Sequence, residues 1–142
     1  MAAIDMNKKD FLYAYMNKRN LAVLATIGPH NTPEAAVMEF GQTHKLELIF
    51  DTLNTSRKYA NLKKNPKIAF VIGWEDGNTV QYEGIAMELQ GTELAAYKKI
   101  MFAKNPAFAK WENLPDMTYF KVIPKWIRYS TMDQSSWEIT FP

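Results

Sequence analysis

The segment Asp51-Thr52-Leu53-Asn54-Thr55-Ser56-Arg57-Lys58 carries the residue types that bind an anion. Thr52, Thr55 and Ser56 supply hydroxyl donors, Arg57 a planar fork able to grip two phosphate oxygens, and Lys58 a point charge. Where such a segment leaves a strand and enters a helix, the first helical turn adds backbone N–H groups without internal partners and the positive end of the helix dipole. That set suits a terminal phosphate. Adjacent helical residues point about 100° apart, so Arg57 and Lys58 converge only on a ligand at the helix mouth, or by bending a long stem. A plainer arrangement uses the same residues: Ser56 caps an ordinary helix, and Arg57, Lys58, Lys63, Lys64 and Lys67 form its solvated face. Both stay open on residues alone. A nucleic-acid surface is poorly supported, because only Tyr59 interleaves with these charges and stacking platforms are lacking.

Other chemistries find less support. His30 and His44 are the only histidines and form no H-x-x-x-H or H-E-x-x-H pattern, so no metal site is expected. The absence of cysteine removes disulfides, thiolate metal sites, iron–sulfur clusters and cysteine nucleophiles together. The chain contains no G-x-G-x-x-G, no G-x-x-x-x-G-K-[ST] and no G-x-S-x-G. The acids Glu34, Glu39, Glu47, Asp51, Glu75, Asp76 and Glu83 offer many carboxylate pairs, and nothing in their spacing selects a general acid and its base.

The elements that must position the anion-binding segment can be read from periodicity and turn signals. Phe11, Leu12, Tyr15 and Met16 recur at helical spacing within Met6 to Asn17, with Asp5 or Asn7 as the cap. Leu21 to Ile27 is an apolar run ending at Gly28-Pro29-His30-Asn31, a buried strand and a turn. Pro33 to Phe40 and Lys45 to Asp51 are two further strands, expected to pair as neighbours in a meander. Asn54-Thr55-Ser56 then starts a short helix that stops at Asn65-Pro66. Strands follow at Lys67 to Gly73 and from Thr79 to about Leu89, around a turn at Glu75-Asp76-Gly77-Asn78, and Gly84 marks a bulge or a close approach. Gly91-Thr92 opens a helix through Ala103, a helical piece follows at Pro106 to Trp111, and two late strands, Thr118 to Ile123 and Trp126 to Thr131, flank Pro124-Lys125. Six or seven strands with short links argue for a closed antiparallel barrel with added helices.

Composition agrees with this outline. The 142 residues make one domain's worth of chain, 47% hydrophobic and 23% charged, with a net charge of +2 that rules out a broad positive field. No apolar run approaches the ~20 residues of a spanning helix, which sets the expectation of a cytoplasmic protein that binds neither membrane nor nucleic acid. Eight Phe, seven Tyr and four Trp predict a core or pocket built from flat rings.

Phe50-Asp51-Thr52, then Ser56-Arg57-Lys58, Asn61-Leu62 and Asn65-Pro66-Lys67-Ile68-Ala69, with Trp74 and Gln81-Tyr82-Glu83-Gly84 downstream, resemble the pyridoxamine 5'-phosphate oxidase-like family of FMN-binding split barrels. The likeness runs from about Leu21 to Ser130, and its most specific part is the block from Ser56 to Pro66. It implies a mainly β, Greek-key split antiparallel barrel with added helices, forming a homodimer with FMN in grooves between the subunits. It further implies that Ser56, Arg57 and Lys58 hold the FMN phosphate and that Asp51 and Thr52 lie beside the ribityl chain or ring. Val37 and Met38 would lie along the isoalloxazine, and Thr79 or Gln81 would reach the flavin from the other subunit.

Two departures separate the chain from vitamin oxidases in that family. Where those enzymes carry a flavin-holding arginine, this chain reads Glu34-Ala35-Ala36-Val37, and in place of a C-terminal Arg-Leu-His it reads Trp126-Ile127-Arg128-Tyr129-Ser130-Thr131. The expectation is therefore an FMN-dependent oxidoreductase acting on an unidentified small molecule, with the two departures counting against vitamin oxidation. The alternatives are a carrier or sensor that binds flavin or haem without turnover, and a relative that uses deazaflavin.

Overall fold

The computed structural model describes the backbone of residues 2–142 and the side chains of residues 7–142. Helix α1 spans Ala2–Asn17, so Asp5 and Asn7 lie within it rather than at its start. Strands β1 (Leu21–Ile27) and β2 (Pro33–Glu39) form a hairpin around a tight turn in which His30 and Asn31 adopt φ of 61° and 60°. The remaining elements are β3 (Gly41–Gln42), β4 (Leu48–Leu53), α2 (Arg57–Lys64), β5 (Lys67–Ile72), β6 (Thr79–Glu88), α3 (Gly91–Lys104), β7 (Met117–Ser130) and β8 (Ser136–Thr140). A 3-10 turn at Pro106–Trp111 follows α3.

All pairings are antiparallel, in the order β2-β1-β5-β6-β7-β4-β3, with β8 added to β7. This order dictates the shape. Strands β2 and β3 stand at opposite ends of the list, yet only Phe40 separates Glu39 from Gly41 in the chain. A single residue spans about 3.8 Å per Cα step, so the sheet must curl until its two ends meet. The result is the curled antiparallel sheet of a split barrel. The expected meander breaks here, because β4 pairs with β3 and β7 and not with β2.

The two late strands are one. β7 runs unbroken through Pro124, which faces Gly84 at a register shift between Glu83 and Gly84. A proline cannot donate to a ladder and is tolerated where a bulge has already disturbed the pairing. Gly84 is required at that point: a Cβ there would come within 2.5 Å of the Ile123 carbonyl oxygen.

The inside of the curl holds the main core, including Phe40, Phe50, Phe70, Tyr82, Phe120 and Ile127, all buried. Phe50 stacks on Phe120 at 5.3 Å and meets Phe70 edge-on at 6.0 Å. A smaller cluster of Ile49, Leu89, Met101, Phe108 and Tyr119 lies on the other face of β4 and β7. That face is covered by α3 and the Pro106–Trp111 turn.

Candidate functional site

Helix α2 begins as its sequence requires. Ser56 has extended backbone angles, φ −77° and ψ 157°, and its Oγ accepts the Tyr59 N–H at 3.1 Å. The same Oγ lies 2.8 Å from Thr52 Oγ1, and Thr52 is buried on the core face of β4. The helix is held against the barrel by Leu62 and by Asn61, both buried. Asn61 Nδ2 donates to Thr26 Oγ1 at 3.0 Å and to Glu34 Oε1 at 2.8 Å, tying α2 to β1 and β2.

Beside this helix mouth is a cleft of about 200 Å³ lined by Leu24, Thr26, Glu34, Ala35, Ala36, Arg57 and Lys58. Both basic residues therefore border one space. Arg57 is 79% exposed and its Nε lies 3.5 Å from Glu34 Oε1, whereas the Glu34 side chain is only 14% exposed. Ala35 and Ala36 leave β2 without bulk at the cleft, so a ligand can approach the backbone closely. The donor set suits a phosphate: a helix N-terminus, a guanidinium and an ammonium around a small-residue strand. Glu34 is the exception, a carboxylate in an otherwise cationic opening.

The structure brings Thr52, Ser56, Arg57 and Lys58 to one helix mouth, with Ser56 capping the helix, Thr52 hydrogen-bonded to Ser56 and the cations lining the cleft. Asp51 lies on the opposite face of β4. It stands across from Tyr119 in the β4–β7 register and is 8% exposed, and its Oδ2 is buried without a partner. Burial and the neighbouring Glu39 carboxylate push Asp51 up to about 6, against the pull of its own backbone N–H and Lys110. Val37 and Met38 point to opposite sides of β2: Val37 is 60% exposed on the outer face, and Met38 is buried in the core.

Thr79 and Gln81 sit on the outer face of β6, two strands beyond β1 and away from the α2 mouth of their own chain. In register, Val37 pairs with Val23, Val23 with Val71, Val71 with Gln81, and Gln81 with Arg128, a row crossing the outer sheet. Leu21 and Val71 are also exposed on this side. A groove of about 430 Å³ on the same face is bordered by Ala25, Ile27, Pro33, Ala69 and Ile85, with Lys67, Glu83 and Lys125 at its margins.

Asn61 and Glu34 are the site residues whose parts sequence reasoning did not identify. The signal for Asn61 was its place four residues after Arg57, which puts both on one face of α2. Glu34 gave no such signal, because its position depends on the β1–β2 register that sets it opposite Thr26. Among the described residues, no cluster of three or more His, Asp or Glu side chains could hold a metal ion, and no helix is long and apolar enough to cross a membrane.

The sequence model described as pyridoxamine 5'-phosphate oxidase matches residues 9–131. A curated relative, the pyridoxine/pyridoxamine 5'-phosphate oxidase of Anaplasma marginale, is 33% identical over 85 residues, covering 59% of this chain and 39% of that protein. The chain thus matches well under half of that relative's length. Among solved structures, a heme binding protein from Mycobacterium smegmatis superposes with a TM-score of 0.81 at 18% identity, covering 95% of this chain and 57% of the other. General Stress Protein 26 from Bacillus anthracis superposes with a TM-score of 0.72 at 20% identity, over 93% and 98% of the two chains. Similarity at such identities concerns the fold. The sequence match, spanning most of the chain and including the whole Ser56 to Pro66 block, is what assigns it to the pyridoxamine 5'-phosphate oxidase family.

Proposed function

We propose that this chain binds FMN by its phosphate at the mouth of α2 and serves as an oxidoreductase on a small molecule. The observation that carries this reading is the convergence of Arg57 and Lys58 on one cleft at a helix N-terminus. Membership of the family supports flavin over other phosphorylated ligands. FMN would supply hydride or electron transfer, and the protein would supply binding, orientation and exclusion of water. Arg57 and Lys58 would hold the phosphate, and the small side chains of Ala35 and Ala36 would let the cofactor lie against β2.

The cleft also argues for a second copy of the chain. Ligand pockets generally measure about 300–1,000 Å³, and a cleft of about 200 Å³ is room for only part of a flavin. In this reading the rest lies along β2 toward Val37, exposed on the outer face, and is covered from elsewhere. A homodimer closing on that face would supply the cover and would place Thr79 or Gln81 of the partner copy near the ring.

Purification followed by an absorption spectrum and a flavin titration tests the proposal. Flavin absorption bands, or saturable quenching of added FMN fluorescence, are the expected result. Arg57→Ala should weaken FMN roughly ten- to a hundredfold, the loss of one charge-assisted contact of about 1.5–3 kcal/mol. A protein indifferent to FMN would overturn the reading. A haem band instead of a flavin spectrum would favour a haem carrier of the kind its Mycobacterium smegmatis structural relative is named for, and co-purified deazaflavin would replace the cofactor but keep the cleft.

A further inference from the structure

We infer that Glu34 sets how much negative charge the α2 cleft accepts, its carboxylate competing with a ligand's phosphate for Arg57. This rests on the flavin reading above and deepens it. The chain would then distinguish phosphorylated from unphosphorylated flavin less sharply than its two cations alone would dictate.

The carboxylate is held in a built place. Glu34 stands opposite Thr26 in the β1–β2 register, which points its side chain to the inner side of the sheet beside α2. Asn61 Nδ2 donates to Oε1 at 2.8 Å, and Arg57 Nε faces the same oxygen at 3.5 Å. On the other side, a Cβ on Gly28 would meet Oε2 at 2.4 Å, so the glycine leaves the space the carboxylate fills. Neighbours from three elements thus fix Glu34 in the cleft, whereas Arg57 is 79% exposed and has no second partner among the described residues. The arginine is the movable member of the pair. A ligand phosphate entering the cleft shares Arg57 with Glu34 and lies near a carboxylate that Asn61 holds in place. Both effects weaken a phosphate and leave an uncharged tail untouched.

The test compares FMN with riboflavin, which shares the ring and ribityl chain and lacks the phosphate. Fluorescence titration of wild type and Glu34→Gln reads both affinities. Glu34→Gln keeps the side chain's length and an oxygen for Asn61 while removing the charge. It should tighten FMN about two- to fivefold, the size expected for one partly screened charge interaction, and leave riboflavin unchanged. The gain should shrink as salt is raised and be smaller in an Arg57→Ala background. Glu34→Ala, which removes the charge without offering Asn61 a replacement partner, should shift the same ratio in the same direction. Equal tightening of both flavins, or no change in their ratio in either variant, overturns the inference while leaving the flavin site standing. Failure of wild type and variants to bind either flavin overturns the cofactor reading, and the inference falls with it.

Discussion

Asp51 shows at the residue scale what a carboxylate costs when the fold buries it without full pairing. Its Oδ2 and the Tyr119 hydroxyl opposite are both buried and unpartnered, and burial holds that hydroxyl up to about 12. Because Asp51 is raised from 3.8 to about 6, the folded chain binds its proton more tightly than the unfolded chain does. The stability this contributes is complete below about pH 4 and is lost as pH rises through about 6. Asp51→Asn should therefore raise unfolding free energy at pH 7.5 by roughly 3 kcal/mol, and should leave it unchanged below about pH 4. Urea unfolding at the two pH values checks this; an equal effect at both would show that packing, not charge, governs the site. Lys104 acts in the opposite sense. Burial lowers its amine to about 7, although Met16 O and Gln42 Oε1 accept from it and it lies over the Phe40 ring. The unfolded chain holds that proton more tightly, so stability grows as pH rises from about 7 toward the ordinary lysine range.

At the scale of elements, what could be read from the sequence was local. The bounds of α2 follow from a cap at Ser56 and a stop at Pro66, and both lie within one turn of the helix they limit. Ser56→Ala should cost about 1 kcal/mol and lower the melting temperature by a few degrees, since Tyr59 N loses its acceptor and Thr52 Oγ1 its neighbour. Scanning calorimetry reads that change, and a variant as stable as wild type would mean that water caps the helix equally well. In the sequence β7 reads as two strands because Pro124 is a local stop signal, and its effect here is cancelled from a distance, by the bulge at Gly84 on β6. Gly84→Ala should be destabilising by about 1–3 kcal/mol, as overpacking at a close backbone approach, because its Cβ would press on the Ile123 carbonyl. A neutral Gly84→Ala variant would show that β7 can move aside.

For the whole molecule, closure of the sheet decides which residues meet. The anion-binding character of Ser56-Arg57-Lys58 was legible because three neighbouring residues state it together. Glu34 and Asn61 belong to the same site only because the β1–β2 hairpin and α2 pack against each other, and no short segment encodes that meeting. The same reasoning applies one level higher, to the proposed dimer. The outer sheet presents Val37, Val71 and Leu21 to solvent, and β2, which carries Val37, also borders the phosphate cleft through Ala35 and Ala36. If a second copy covers this face, the flavin ring is sandwiched and its affinity depends on both chains. Val71→Lys places a charge on this face without touching the α2 mouth, and its backbone pairing with Val23 and Gln81 is unaffected by the side chain. Sedimentation should then change from dimer to monomer, and FMN binding should weaken at least tenfold, the equivalent of about 1.4 kcal/mol, although Arg57 and Lys58 are intact. A wild-type chain that sediments as a monomer with FMN bound would separate the two surfaces, and would require the barrel to enclose its ring with its own residues.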